Sequence, residues 1–395
     1  MRLNQKKFYT GAYKYVVMAA KISKPTVPGT LRIGTDDLLV YEKTSDDWKV
    51  KVPAIEFPDA MHVIQLFKAH ENFNALVDTK NPRFLKGQLS PEGKSQGARI
   101  NILPDGRVLD KAYSLFADHL TIHDEASNEH WDVLYRNPGG TYSYVYTLEK
   151  RGNSVKKKYS EVEEFERCYP DLIKRVDSAL SDYNDNMAVP MYTLLKTCMR
   201  VGNEIYYKAH GHKGLTTLKK SDISINGNNV TFNYLSKNGV PAVITEKFPD
   251  LYVARLRKAL DSIDDSSFVF VNPRSGHPLL DTHFKEAFRR YCGRNFYPHI
   301  VRSYYATQKA EEFLKSHGSA TKKEIREFFL SVSEKLGHKR FVKKEQAWKD
   351  NYTVTIHHYI QPQLVDKIKA LGMAGCQSRK NADKNRKEGK ATQVA

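Results

Sequence analysis

The chain of 395 residues carries 63 Lys and Arg against 45 Asp and Glu, a net charge of +18 with neutral histidines. A hydrophobic fraction of 40%, with 11% aromatic residues, is ample for a packed core and excludes a wholly disordered protein. No stretch reaches the roughly 18 apolar residues of a membrane span, and the run Tyr15–Ala20 is too short and mixed for a signal-peptide core, so neither membrane nor export is expected.

Cys168, Cys198, Cys292 and Cys376 lie far apart and without ligand spacing, so reduced thiols in an intracellular compartment are expected, with no zinc site and no disulfide framework. The basic surplus favours a polyanion, because Lys and Arg that neutralise phosphates release condensed counterions. Charge alone does not separate binding from catalysis.

In chain order, residues 1–150 read as a mixed or β-rich domain. Short β-prone runs at Leu38–Tyr41, Trp48–Val52 and Tyr142–Thr147 alternate with turn formers such as Pro104-Asp-Gly106 and Pro138-Gly-Gly140. Helices are predicted near Asp59–Ala69 and Lys111–His119. The polar, aperiodic stretch 148–160 reads as a linker or hinge. A second domain, 151–372, then follows the helical period. Leu172, Ile173, Val176 and Leu180 share one face, and Met191, Leu194, Leu195, Cys198, Met199 and Ile205 continue at helical spacing behind Pro190. Three strands are predicted at 222–225, 230–235 and 240–245, separated by the hairpin signals Asn226-Gly227 and Asn238-Gly239. Helices resume at Leu251–Leu260, Thr282–Tyr291, Arg302–Ser316, Thr321–Leu336 and Gln363–Leu371. That at Thr321 opens with the capping box Thr321-Lys-Lys-Glu324. Residues 373–395, with six Lys or Arg against two Asp or Glu, read as a disordered basic tail. The fold class is therefore α+β, with a small antiparallel sheet in a mainly helical second domain.

The chain has no GxxxxGK[ST] loop and no HExxH, which leaves ATP-driven and zinc-hydrolase chemistry without support. Several polar residues stand where a scaffold does not require them. Arg200 opens the run Arg200-Val-Gly-Asn-Glu204 on a predicted helix whose apolar stripe excludes it. Lys237 sits in the hairpin tip Ser236-Lys-Asn-Gly239. His299 and Arg302 are three apart at a helix start, His338 follows Gly337 at a helix end, and Tyr359 lies in His357-His-Tyr-Ile-Gln-Pro362.

Arg200-Val-Gly-Asn-Glu204 followed by Lys213-Gly-Leu-Thr-Thr-Leu218 resembles the signature of type IB DNA topoisomerases. The hairpin lysine, the arginine at a helix start and the tyrosine followed by Ile-x-Pro recur in the same order, so the resemblance covers about residues 160–371. It implies that Arg200 and Arg302 hold the non-bridging oxygens of a phosphodiester, where guanidiniums stabilise a pentacoordinate transition state without a metal. It implies that Tyr359 attacks to form a 3′-phosphotyrosyl bond, that Lys237 delivers a proton to the leaving 5′-oxygen, and that His338 donates a hydrogen bond to phosphate. The covalent link conserves the bond energy, so no cofactor is expected. Duplex DNA is the expected partner of a monomer, gripped by a clamp of the two domains with 148–160 as hinge.

The sequence departs from that family in two places. Residues 339–351 form a charged insertion before the tyrosine, which leaves His357 and His358 as rivals for the histidine role. The topoisomerases usually carry lysine where this chain has His299, and His-x-x-Arg is the pattern of the tyrosine recombinases. His299 and His358 are accordingly candidate auxiliary residues. A recombinase performing site-specific strand exchange, or a non-catalytic DNA-binding protein of the same fold, are the alternatives.

Overall fold

The computed structural model describes residues 26–53, 57–97, 99–123 and 130–372; the predicted basic tail lies outside the described residues. The chain divides into two compact units, with the boundary after Val155.

The first unit is β-rich. β1 (Leu31–Ile33), β2 (Leu39–Lys43) and β3 (Trp48–Pro53) precede α1 (Pro58–Ala69), and β4 (Gln88–Leu89) and β5 (Ser95–Gln96) complete a five-stranded sheet of order β3-β2-β1-β4-β5. β6 (Ile100–Ile102) pairs with β7 (Val108–Tyr113), and β8 (Asp118–Ile122), β9 (Val133–Arg136) and β10 (Tyr142–Val145) form a three-stranded sheet. α1 starts with Pro58, whose missing N–H is no loss in a first turn. It buries Ala60, Val63, Ile64 and Phe67, at helical spacing, against Ile33, Val40, Leu120, Val133 and Val145.

The helix predicted at Lys111–His119 is instead the end of β7, a turn and the start of β8. The turn is closed by Ala117 N–H donating to Ser114 O at 3.0 Å. Leu109 and Tyr113 are buried on β7, and the segment is held as a strand by antiparallel pairing with β6, Ile100 opposite Tyr113.

The predicted linker at 148–160 is also corrected. It forms the first turns of α2 (Leu148–Ala179). The charged residues that mask its period occupy the solvated face, while Tyr159, Val162, Phe165, Leu172 and Val176 are buried. Lys150 secures the first turn through Asp132 Oδ1 at 2.7 Å.

In the second unit α3 (Ala188–Thr197) leads to α4 (Glu204–His210), and β11 (Ile223–Asn226), β12 (Asn229–Ser236) and β13 (Val240–Lys247) form an antiparallel meander. α5 (Asp250–Asp261), α6 (Asp281–Cys292), α7 (Ile300–Ser316) and α8 (Lys322–Lys335) follow. Thr321 caps α8 as its sequence predicts, with Glu324 N–H donating to Thr321 Oγ1 and Thr321 N–H to Glu324 Oε2. The inserted segment is a hairpin, β14 (Lys339–Val342) and β15 (Ala347–Asp350), after which come α9 (Thr353–His358) and a last helix over 362–372. The core of this unit is aromatic. Phe165 of α2 meets Phe288, Phe296 and Tyr304 edge-on at 5.0–5.8 Å between ring centroids.

Candidate active site

Arg200 does not lie on a helix. The spacing from Met191 to Ile205 predicts one, but α3 stops at Thr197, where Cys198 takes a left-handed conformation (φ 55°, ψ 27°). The segment beyond is claimed by a tertiary partner. Leu215 N–H donates to Arg200 O at 2.8 Å and Thr216 N–H to Val201 O at 2.6 Å. The Thr216 hydroxyl adds a second bond to Val201 O at 3.0 Å. Gly214 is packed so tightly that a Cβ there would lie 2.6 Å from Arg200 O and 2.7 Å from Gly202 N, and Gly202 itself has φ +106°. The two signature runs are therefore stitched to each other, and both glycines are required by close approach. Asn203 then caps α4, its Oδ1 accepting from the N–H groups of Ile205 and Tyr206.

The carboxy-terminal face of the site is built from helix ends. His299 is the N-cap residue of α7, and Arg302 lies in that helix's first turn. His338 follows α8 at the base of the β14–β15 hairpin, and Tyr359 terminates α9. Tyr359 and Arg302 are each only 3% exposed, and His338 8%.

The Tyr359 hydroxyl receives a hydrogen bond from Arg200 Nη2 at 3.0 Å and lies 2.8 Å from His299 Nε2. The Arg302 guanidinium lies 5.2 Å from the centre of the Tyr359 ring. It donates to Cys198 O and Leu336 O, both at 2.6 Å, and lies 3.1 Å from His338 Nε2. Arginine has no acceptor, so Nε2 of His338 accepts that bond. The proton of the neutral imidazole then sits on Nδ1, which faces Thr355 Oγ1 at 2.8 Å. The His338 and Tyr359 ring centroids are 4.8 Å apart.

Burial, with Arg302 and then Arg200 nearby, pushes both imidazoles down to about 3, so both are neutral at ordinary pH. Burial also draws the Arg302 guanidinium below its usual value, an effect opposed by Tyr359. The arrangement is a phenol between a guanidinium and a neutral imidazole, with a second guanidinium against its ring. Such a phenol can pass its proton to the imidazole while the cations stabilise the phenolate.

The structure thus brings Arg200, His299, Arg302, His338 and Tyr359 into one contact set. Lys237 is not part of it. It sits in the exposed turn Lys237–Gly239 between β12 and β13, where Asn238 (φ 65°) and Gly239 (φ 72°) supply the left-handed geometry of the tip. His357 and His358 are exposed at the end of α9. Their side chains are outside the set, whereas His338 is inside it.

Sequence reasoning misses three contributors. Lys158 Nζ lies 5.4 Å from the Tyr359 ring centre and donates to His358 O. Tyr159 donates from its hydroxyl to Ile360 O at 2.7 Å. Thr355 orients His338. The run Lys156-Lys-Lys158 gives no sign of this, although Tyr159, Val162 and Phe165 at 3-residue spacing mark the buried face that brings it there.

No curated protein matches the chain. Among solved structures, a XerH site-specific recombinase bound to difH substrate in a pre-cleavage complex is 16% identical over 43% of this chain and 44% of that chain, with a TM-score of 0.30. The same values describe the XerH recombinase on palindromic difH substrate in a post-cleavage complex, so the chain spans less than half the length of these proteins. Residues 148–366, more than half of the chain, match the family described as eukaryotic DNA topoisomerase I, catalytic core. That match takes in both signature runs and every residue set around Tyr359, and the chain belongs to this family.

Proposed function

We propose that the protein is a type IB topoisomerase that relaxes supercoiled duplex DNA by cutting and resealing one strand through a 3′-phosphotyrosyl intermediate, without ATP or metal. The observation that carries this reading is the Tyr359 hydroxyl held between Arg200 Nη2 and His299 Nε2. In the proposed sequence a phosphodiester docks against Arg200 and Arg302, and its charge offsets the cations that depress the His299 pKa. His299 becomes the stronger base and takes the phenol proton as Tyr359 attacks phosphorus. Phosphate entering between Arg302 and His338 replaces their mutual bond; the neutral imidazole changes tautomer, with the Thr355 hydroxyl donating to Nδ1, so that Nε2–H donates to a phosphate oxygen. The 5′-oxygen leaves with a proton from Lys237, which its hairpin must carry to the scissile bond. Resealing reverses these steps.

The β-rich unit is proposed as a second DNA-contacting module, and most of the basic surplus as phosphate contacts that set a steep salt dependence. The working state is proposed to be a monomer. The test is a supercoiled plasmid incubated with purified protein in EDTA and without ATP. Relaxed topoisomers are expected, and a plasmid left supercoiled across a range of salt rejects the reading.

One observation favours a second reading, the His-x-x-Arg pair whose histidine contacts the tyrosine, as the recombinase pattern has it. A recombinase would exchange strands between two specific sites as a multimer. Relaxation of plasmids of unrelated sequence by a monomer decides against it.

A further inference from the structure

The carbonyls at and beside the proposed nucleophile are held by side chains from outside its own helix. α9 ends at His358, so the carbonyls of its last turn have no helical partner and must find others. His358 O accepts from Lys158 Nζ, Tyr359 O from Thr307 Oγ1 at 3.4 Å, and Ile360 O from the Tyr159 hydroxyl at 2.7 Å. Consecutive residues of α2 thus grip the peptide groups on either side of Tyr359, and Thr307 of α7 takes the one between. Lys158 makes a further contact, its ammonium lying over the Tyr359 ring at 5.4 Å from the centroid and over the Tyr159 ring at 5.1 Å. One lysine therefore fixes the backbone before the tyrosine and also faces its ring.

We propose that Lys158 is a positioning residue for Tyr359, latching the end of α9 to α2 so that the phenol stays between Arg200 and His299. This rests on the reading of Tyr359 as the nucleophile. The cleavage step is sensitive to such a latch because displacement of a reacting atom by about 1 Å costs on the order of 100-fold in rate. The charge of Lys158 also contributes, after burial and the two arginines, to keeping His299 neutral before DNA binds. A lysine suits the position because its charged donor follows the carbonyl and the ring together, and because a cation is favourable at a helix C-terminus.

The test uses the full chain with Lys158→Met, Lys158→Arg and Tyr159→Phe. The rate of covalent adduct formation is measured in single turnover on duplex DNA, and the Kd for the same duplex is measured with the Tyr359→Phe background blocking cleavage. Lys158→Met is expected to slow adduct formation by about 10- to 100-fold while Kd changes less than about 3-fold. Lys158→Arg is expected to restore most of the rate, and Tyr159→Phe to cause a smaller loss. In the DNA-free protein, amide exchange of the peptide spanning Thr355–Ile360 is expected to quicken in Lys158→Met and not in Lys158→Arg.

A wild-type adduct rate in Lys158→Met overturns the proposal. So does a loss explained wholly by weaker DNA binding, which would make Lys158 a plain phosphate contact, or an arginine variant no better than methionine. The wild-type adduct, mapped to one tyrosine, separates the two readings. If it maps elsewhere, the nucleophile assignment has failed and the latch has no part in cleavage; if it maps to Tyr359 while Lys158→Met is unaffected, only the latch has failed.

Discussion

Tyr359 is 3% exposed and held at its hydroxyl by Arg200 and His299, whereas Lys237 stands exposed at a hairpin tip and its side chain makes no hydrogen bond or ion pair among the described residues. Both are residues that the resemblance marks for chemistry, yet one is fixed before DNA arrives and the other is not. The buried group pays for its order through burial and through bonds to helix ends, and any change there disturbs folding as well as reaction. The exposed lysine costs the fold almost nothing and, in the proposed reaction, gains its role only when its hairpin meets DNA. The proposed nucleophile is thus preorganised and the proposed proton donor is delivered, which keeps the donor away from Tyr359 until substrate is bound.

The sharpest way to break this contrast is Tyr359→Phe. It is expected to abolish the covalent adduct entirely while leaving duplex binding within about 3-fold, because only the hydroxyl is removed. An adduct retained in that variant, trapped on DNA and mapped by mass spectrometry, moves the nucleophile elsewhere, first to Tyr352.

Arg302→Ala and Lys237→Ala then test the two regions directly. Removing Arg302 strips a donor from Cys198 O, Leu336 O and His338 Nε2 at once and is expected to cost about 3 kcal/mol of stability as well as activity. Lys237→Ala is expected to slow cleavage by about 100- to 10,000-fold with no measurable change in Tm. A DNA substrate with a 5′-thiolate leaving group, which needs no proton, should recover most of that loss. A clear drop in Tm for the lysine variant would show that the tip is built into the fold after all.

Among the histidines, His338→Ala is expected to slow cleavage by at least about 10-fold, and His357→Ala or His358→Ala by much less. The reverse order in the adduct assay would reassign the role.

The smallest effect concerns pH. His299 and His338 are held near 3 in the fold against 6.5 in an unfolded chain, so the unfolded state binds more protons between those values. Their contribution to stability is complete above about pH 6.5 and is lost as pH falls from there toward 3. Denaturant titrations at pH 7.5 and 5.5 should differ by about 1–2 kcal/mol for each histidine, and His338→Gln should flatten part of that slope.

Much of this site is legible in the sequence because its residues sit at element ends, where short local signals are strong. His299 and Arg302 at a helix start, Gly337-His338 at a helix stop and the Asn-Gly hairpin around Lys237 need only a few neighbouring residues to be recognised. Arg200 is identified by its motif, but its setting is not. The period from Met191 onward is helical, and only the hydrogen bonds from Leu215 and Thr216, more than a dozen residues away, pull the chain out of helix. Lys111–His119 fails for a related reason, since its residues satisfy a helical pattern locally while pairing with β6 and β9 decides the outcome. Lys158 is illegible because a lysine beside two others carries no mark of which one faces a buried ring.

The β14–β15 hairpin separates His338 from Tyr359 in the chain but not in space. Its strands pair from Lys339 opposite Asp350, and Asn351 N–H returns to His338 O at 3.0 Å, so the loop is closed at its base. The chain leaves the site at one backbone position and re-enters at its immediate neighbour. That closure, rather than the tip, sets where the chain returns to the site, so adding or removing rungs at the far end is expected to leave the imidazole in place relative to the phenol.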